Sequence, residues 1–137
     1  MIVADRYMVL APKMKQDGQT AEVELAELIR NNFKPGDVHM IITYRRDQRP
    51  TKEECRRELE KFLRKVRKAY ESRGQELKYI AVTRNKSRAP HHHIVINTES
   101  GIGVKELNEL WDKGRTRFIY LDDTGQYGHL AHYLARE

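Results

Sequence analysis

Residues 89–97 read A-P-H-H-H-I-V-I-N, so three consecutive histidines open a stretch of β-branched residues. Such residues favour a β-strand, in which successive side chains point to opposite faces. His91 and His93 are therefore expected on one face with Val95, whereas His92 shares the other face with the isoleucines and is interpreted as a packing residue. Two imidazoles one pleat apart can share a divalent metal ion. The alternative is that this pair is structural.

The donor types in the chain bear on which metal such a pair would hold. A structural zinc site usually takes four nitrogen or sulfur ligands, and this chain has one cysteine, Cys55, on a predicted helix. A Mg²⁺ or Mn²⁺ site, completed by water, a carboxylate and a phosphate substrate, suits a basic protein better. The sequence therefore favours Mn²⁺ or Mg²⁺ at His91 and His93.

The last residues, G-Q-Y-G-H-L-A-H-Y-L-A-R-E, predict a closing helix with a second reactive group. Tyr133 and Arg136 lie about one helical turn apart and so share a face. A tyrosine can attack a phosphodiester if its proton leaves, but its ordinary pKa near 10 means that it needs help. A metal ion and the Arg136 cation are candidates for that help. The alternative is that Tyr133 only packs on the sheet.

Composition indicates a basic protein of one domain. The 137 residues include 26 Lys and Arg against 20 Asp and Glu, which gives a net charge of +6. This balance favours polyanionic partners, nucleic acid above all. The N-terminus lacks the apolar stretch of a signal peptide, and no segment approaches membrane-spanning length. We therefore expect a cytoplasmic protein with no membrane partner.

The predicted elements define an α+β fold. After a strand at Arg6–Ala11 and a helix opening at Thr20, with an apolar stripe that includes Val23, the order is strand, helix, strand, strand, helix, strand. These elements and the closing helix are predicted at Val38–Tyr44, Thr51–Ser72, Leu77–Thr83, His91–Asn97, Gly103–Trp111, Arg117–Leu121 and Thr124–Glu137. The order is typical of a ferredoxin-like fold, a central antiparallel sheet with two helices on one face. The strand carrying the histidines would lie centrally, and the other face would be open for a site.

Several motifs carry a resemblance to a known family. These are I-I-T-Y at the end of the strand from Val38, then P-H-H-H-I-V-I-N, L-W-D-K-G-R and L-A-H-Y-L-A-R-E. In this order and spacing they resemble the motifs of the rolling-circle replication initiators, the HUH endonucleases of plasmids and phages. The sequence is most similar to the initiator domains of Gram-positive bacteria and their mobile elements. The resemblance runs from about Leu28 to the last residue.

The resemblance implies a function and a set of residues. It implies a ferredoxin-like (RRM-like) HUH fold, with an active-site helix at the C-terminus, that binds single-stranded or hairpin origin DNA. His91 and His93 would bind Mn²⁺ or Mg²⁺. Tyr133, with Tyr127 as the alternative nucleophile, would nick the strand and stay linked to its 5′ phosphate, which frees a 3′-OH to prime synthesis. We expect a single domain, 1–137, excised from a longer replication protein, with the host replication machinery as a candidate partner.

Charge alone suggests which side chains would hold the DNA backbone. Basic residues beside the predicted site strands are candidates for phosphate contacts, and they are Arg45, Arg46, Lys86 and Arg88. Each of them can equally be an ordinary solvated loop residue.

Two residues depart from the family pattern. Arg84 stands where relatives commonly have a glutamate that supplies a third metal ligand, and Arg136 replaces the usual lysine of the third motif. A cation at position 84 would repel a metal ion if it pointed inward. An alternative function is therefore a catalytically weakened or inactive DNA-binding module on the same fold. A third is a basic domain like the RNA-recognition modules, which would show exposed aromatics on the sheet.

Overall fold

A computed structural model of the chain describes residues 2–4, 7–9, 18–86, 88–98 and 102–135. The strands are β1 (Ile2–Ala4), β2 (Tyr7–Val9), β3 (Val38–Thr43), β4 (Tyr79–Arg84), β5 (His91–Ile96) and β6 (Thr116–Tyr120). The helices are α1 (Gly18–Asn32), α2 (Cys55–Ser72), α3 (Val104–Leu110) and α4 (Gly128–Ala135). Two short 3-10 turns, Arg46–Gln48 and Lys52–Glu54, lead from β3 into α2.

All six strands belong to one sheet in the order β2-β1-β4-β5-β3-β6, and every neighbouring pair is antiparallel. Its four strands from β4 to β6, with α2 and α3 as the crossovers, have the ferredoxin-like arrangement. The predicted α+β class is therefore confirmed, and β5 lies centrally beside β3 as expected. The N-terminal hairpin of β1 and β2 extends the sheet beyond β4.

α2 supplies most of the core on the first sheet face, which is the face that carries Ile94 and Ile96. Its start is the predicted capping box, in which Thr51 Oγ1 accepts from the Glu54 amide and Glu54 Oε1 accepts from the Thr51 amide. The predicted apolar stripe is buried along its whole length: Cys55, Leu59, Phe62, Leu63, Val66 and Tyr70. The prediction that two helices cover this face is confirmed, because α3 packs into the same cluster through Leu107.

The second sheet face is not open throughout, as the sequence had suggested. α1 and α4 pack on each other and cover its β4 side, where Ile80, Val82 and Val95 join residues of both helices in a second core. On the β3 and β6 side, Arg117 and Ile119 are exposed. The second face is therefore half covered and half open, and the boundary falls along β5.

The N-terminal predictions were only partly right. The strand predicted at Arg6–Ala11 is observed as β2, whose flanking residues 6, 10 and 11 lie outside the described residues, and β1 was not predicted. Helix α1 begins at Gly18 rather than Thr20. Val23, predicted to face the core, is 54% exposed, and Leu25 is buried in its place. Among the described residues, no helix is both long and apolar enough to cross a membrane.

Gly114 sits where the chain enters β6 and touches the end of β3. The amides of Thr43 and Arg45 donate to the carbonyls of Arg115 and Lys113, so the two backbones run close together on both sides of the glycine. A Cβ at Gly114 would lie 2.1 Å from the Thr43 carbonyl oxygen and 2.6 Å from its carbon. Both are backbone atoms, so neither can move aside cheaply.

The variant Gly114→Ala should lower the free energy of unfolding by about 3 kcal/mol, because an added methyl must push two hydrogen-bonded backbones apart. Urea denaturation measures this directly. Gly128→Ala is the matched control, since nothing lies within 4 Å of a Cβ there, and it should be neutral or slightly stabilising. Equal stability of the two variants would show that the close approach of β3 and β6 is wrong.

Candidate active site

The strand register gathers three histidines on the second sheet face. In the antiparallel pairing of β3 with β5, His39 lies opposite Val95 and Thr43 lies opposite His91. Paired residues share a face, and so do residues two apart on one strand. His39, His91 and His93 therefore project together, while Ile94 and Ile96 point into the first core as predicted.

The three imidazoles form a continuous group. His39 Nε2 lies 3.0 Å from His93 Nδ1, so the two buried rings share a hydrogen bond. The ring centroids of His91 and His93 are 5.0 Å apart, and His91 Nδ1 donates to the Ala89 carbonyl over 3.2 Å. The sequence interpretation treated His39 as an ordinary residue. The signal that it faces the site was its even spacing from Thr43, in the same strand as the first motif.

Burial keeps the inner two imidazoles neutral. It lowers the pKa of His93 to about 3, with further contributions from His39, His91 and Arg84. It also lowers the pKa of His39 to about 4, with a smaller effect from the Arg117 cation. Both rings are therefore unprotonated at neutral pH, which is the state that an imidazole needs in order to bind a metal.

α4 brings Tyr133 against these histidines. Its ring centroid lies 5.1 Å from that of His93 and 6.2 Å from that of His39, and both contacts are edge-on. The residue is 41% exposed, so it forms one wall of the histidine group and still faces solvent. The predicted proximity of Tyr133 to the histidines of β5 is therefore present. Its role as a nucleophile stays a prediction.

Tyr127, the alternative nucleophile, is held differently. It is buried in the second core just before α4, and its hydroxyl donates to the Asp122 carbonyl over 3.0 Å. Burial raises its pKa, and the nearby Asp122, Asp37 and Asp123 add to that effect. These contacts favour a structural role for Tyr127. Arg136, predicted as Tyr133's catalytic partner, lies outside the described residues.

Arg84 contacts the backbone of the helix that carries Tyr133. Its Nη2 donates to the carbonyls of Tyr133 and Leu134, each over 2.8 Å. Carbonyls in the last turn of a helix lack intrahelical partners and attract cations. Arg84 also lies opposite His91 in the β4–β5 pairing, and its charge contributes to the low pKa of His93. The cation is thus a neighbour of the histidines, and its hydrogen bonds hold the end of α4.

His92 faces the opposite side of the sheet and joins three strands. Its Nε2 lies 2.7 Å from the Tyr44 hydroxyl and its Nδ1 lies 2.8 Å from Thr83 Oγ1. The ring is fully buried, and burial is the main reason that its pKa falls to about 4, followed by the charge of His91. The interpretation of His92 as a packing residue is confirmed. It is also the polar centre of a network that links β3, β4 and β5.

The sheet topology places the four basic DNA-binding candidates at one end. β3 ends and β5 begins at the paired residues Thr43 and His91, and β4 ends at Arg84 beside them. The candidates lie in the segments that adjoin this end, and all four are exposed: Arg45, Arg46, Lys86 and Arg88. Arg45 additionally donates to the Asp112 carbonyl. Positive charge therefore surrounds the end of the sheet where His91 lies.

The donor set fits a metal ion in two positions. Because a carbonyl can only accept, neutral His91 carries its proton on Nδ1 and its lone pair on Nε2. His93 likewise uses Nδ1 for its hydrogen bond to His39, which leaves Nε2 as its second nitrogen. Within the described ranges no group of three or more His, Cys, Asp or Glu is placed to hold a metal ion. A metal bound at His91 and His93 would thus need further ligands, such as water and phosphate oxygens.

Comparison with known protein families classifies the chain. Residues 37–137, most of the sequence, match a family of replication-associated proteins that is named for ORF2. The chain therefore belongs to this family of replication-associated proteins, which indicates a role in DNA replication. Searches among curated proteins and among solved structures gave no match. The resemblance to replication initiators is confirmed at this level, and the nicking chemistry stays a prediction.

Acidification in the presence of EDTA should destabilise the protein between pH 6.5 and about 4. The pKa of His92 falls from 6.5 to about 4 on folding, so the unfolded chain binds a proton in this range that the folded chain does not. Each such histidine lowers the free energy of unfolding by about 1.4 kcal/mol per pH unit, and stability is constant with respect to it above this window. Urea titrations at several pH values measure the slope. His92→Gln should reduce it by one proton, and an unchanged slope would contradict the assignment.

Removing the guanidinium in Arg84→Met should loosen α4. A hydrogen bond from a charged group contributes about 1.5 kcal/mol or more, which corresponds to about tenfold in an opening equilibrium. Backbone amides of α4 should therefore exchange with deuterium about tenfold faster or more, with β3 unaffected. Arg88→Met, which removes an exposed guanidinium nearby, is the matched control. Identical exchange in the two variants would mean that Arg84 does not hold the helix.

Proposed function

We propose that this protein is a metal-dependent endonuclease and strand transferase that nicks single-stranded or hairpin DNA to begin rolling-circle replication. The observation that carries the proposal is the contact of the Tyr133 ring with His93, 5.1 Å between centroids, with His91 adjoining. A phenol and two imidazoles thus meet at a solvent-facing position in a member of a replication-associated family. That combination suits phosphodiester transfer to tyrosine.

The reaction conserves one phosphodiester bond. The Tyr133 oxygen bonds to the scissile phosphorus as the bond from phosphorus to the 3′ oxygen breaks. The phenolic proton is released and the departing 3′ oxygen takes up a proton, which yields a 5′-phosphotyrosine and a free 3′-OH. Attack by a 3′-OH on the phosphotyrosine reverses these bonds and rejoins a strand. Because the linkage is exchanged rather than hydrolysed, no external energy source is needed.

The chain's own residues supply position and a polar, partly dry environment. Tyr133 is fixed on α4, whose last carbonyls accept from Arg84. His91 and His93 would hold Mn²⁺ or Mg²⁺ through Nε2, and the bound ion would polarise the phosphate and stabilise negative charge on the attacking and leaving oxygens. His39 and His93 are buried and neutral, so they add no competing positive charge of their own.

The open half of the second face is the proposed path of the DNA. Arg117 and Ile119 are exposed on β6 beside His39, where they offer a cation for phosphate and an apolar surface for a base. Arg45 and Arg88 adjoin the same end of the sheet as His91. A strand that crosses β3 and β6 would therefore reach Tyr133 while its backbone stays near positive charge.

One observation favours a second candidate, an inactive or weakened DNA-binding module. The described residues place two histidines but no third ligand, and the Arg84 cation lies close enough to lower the pKa of His93. A module of this kind would bind single strands through the same open face without forming a covalent product.

A covalent-adduct assay tests the enzyme proposal. The protein is incubated with end-labelled single-stranded origin DNA and Mn²⁺, then denatured, and the label is followed by gel electrophoresis. Wild-type protein should give a denaturant-resistant adduct on the 5′ side of the nick. Tyr133→Phe should give none, because the attacking oxygen is gone, whereas Tyr127→Phe should keep the adduct.

The metal part is tested by the same assay with His91→Ala and His93→Ala, each of which should abolish the Mn²⁺-dependent adduct. Binding of the unreactive DNA to Tyr133→Phe, measured by fluorescence anisotropy, provides the control for a folded protein. Binding without an adduct in the wild type would favour the inactive module. An adduct that moves to Tyr127 would show that the nucleophile is wrong.

A further inference from the structure

The hydrogen bond between His39 and His93 has two forms with different consequences. The rings are buried, 4% and 2% exposed, and the Nε2 to Nδ1 distance is 3.0 Å. With both rings neutral, one shared proton lies between them. Either His93 donates through Nδ1 to His39, or His39 donates through Nε2 to His93.

The two forms differ at the nitrogen that faces the site. If His93 donates through Nδ1, its Nε2 carries a lone pair and can bind a cation. If His39 is the donor, the neutral His93 ring must carry its own proton on Nε2, which blocks that position. His91 shows the productive form, because its Nδ1 donates to the Ala89 carbonyl.

We propose that His39 is a positioning residue that accepts a hydrogen bond from His93 Nδ1 and thereby fixes the His93 tautomer whose Nε2 can bind a divalent cation. This inference rests on the proposed metal-dependent function. Histidine ligands commonly donate their second ring N–H to a fixed acceptor, and loss of that acceptor costs about 10- to 100-fold in metal affinity. Here the acceptor is another imidazole on the neighbouring strand.

The strand pairing explains why His39 can do this and is not itself a ligand. His39 lies opposite Val95 on β5, so its ring reaches the next same-face residue, His93, diagonally across the sheet. Its Nε2 is occupied by that contact, and its ring also lies edge-on to Tyr133. His39 therefore supports the ring of His93 from the buried side, while the Nε2 of His93 is directed elsewhere.

Nitrogen-15 NMR of histidine-labelled protein tests the tautomer without any metal or activity. In metal-free protein at neutral pH, the proton of His93 should be on Nδ1 and that of His39 on Nδ1 as well. Addition of Zn²⁺, a diamagnetic probe, should change the Nε2 signals of His91 and His93 and leave the site of protonation of both rings unchanged. A proton on Nε2 of His93 in the metal-free protein would overturn the proposal.

Mn²⁺ affinity, measured by electron paramagnetic resonance, tests the consequence. His39→Leu should weaken Mn²⁺ binding about 10- to 100-fold, whereas His39→Gln, whose side-chain oxygen can accept near the position of Nε2, should recover most of it. His129→Leu, at an exposed position on α4, is the matched control and should bind like wild type. Equal affinity of the leucine and wild-type proteins would overturn the proposal.

The outcomes also separate this inference from the proposed function. If wild-type protein showed no Mn²⁺ binding, the metal-dependent function would fail, and the affinity consequence drawn here would be overturned with it. If wild-type protein binds Mn²⁺ and forms the DNA adduct but His39→Leu binds equally well, only the role of His39 falls. Should His39→Leu not fold, the glutamine variant and the metal-free tautomer still decide.

Discussion

The register of β5 between β3 and β4 is the constraint on which this site depends. Adjacent side chains alternate, so a slip of one residue would exchange His92 with its two neighbours and reverse their roles. The observed pairing places Thr43 and Arg84 on either side of His91. It is reinforced from the first face, where apolar residues of β5 pack under α2 and α3. The hydrophobic pattern of the strand therefore decides which imidazoles reach the site.

Three consecutive histidines thus serve two purposes. His92 joins the first core, where Tyr44 and Thr83 satisfy both of its ring nitrogens. A buried polar ring without such partners would destabilise the fold, whereas a fully bonded one fixes the strands against each other. His93 is buried on the other face and is matched by His39. Burial keeps both rings neutral, which links the packing of the sheet to the chemistry available on its second face.

Much of the fold was predictable because its patterns are strong. The capping box before α2 and the six-residue stripe it introduces fixed the main helix, and the β-branched run after His93 fixed the central strand. Contacts distant in sequence were not predictable. The cover that α1 and α4 form over the second face depends on tertiary packing, and the predicted closing helix from Thr124 begins at Gly128. His39 and Arg84 acquire their partners only through strand pairing and the docking of α4, which no local pattern shows.

A crystal structure of the Tyr133→Phe protein with Mn²⁺ and a single-stranded oligonucleotide spanning the nick would test the central claim most directly. The account predicts one cation bonded to Nε2 of both His91 and His93, with a phosphate of the DNA between that cation and the ring at position 133. The DNA should lie across β3 and β6 on the second face. A cation bound elsewhere, or a phosphate remote from that ring, would contradict the account.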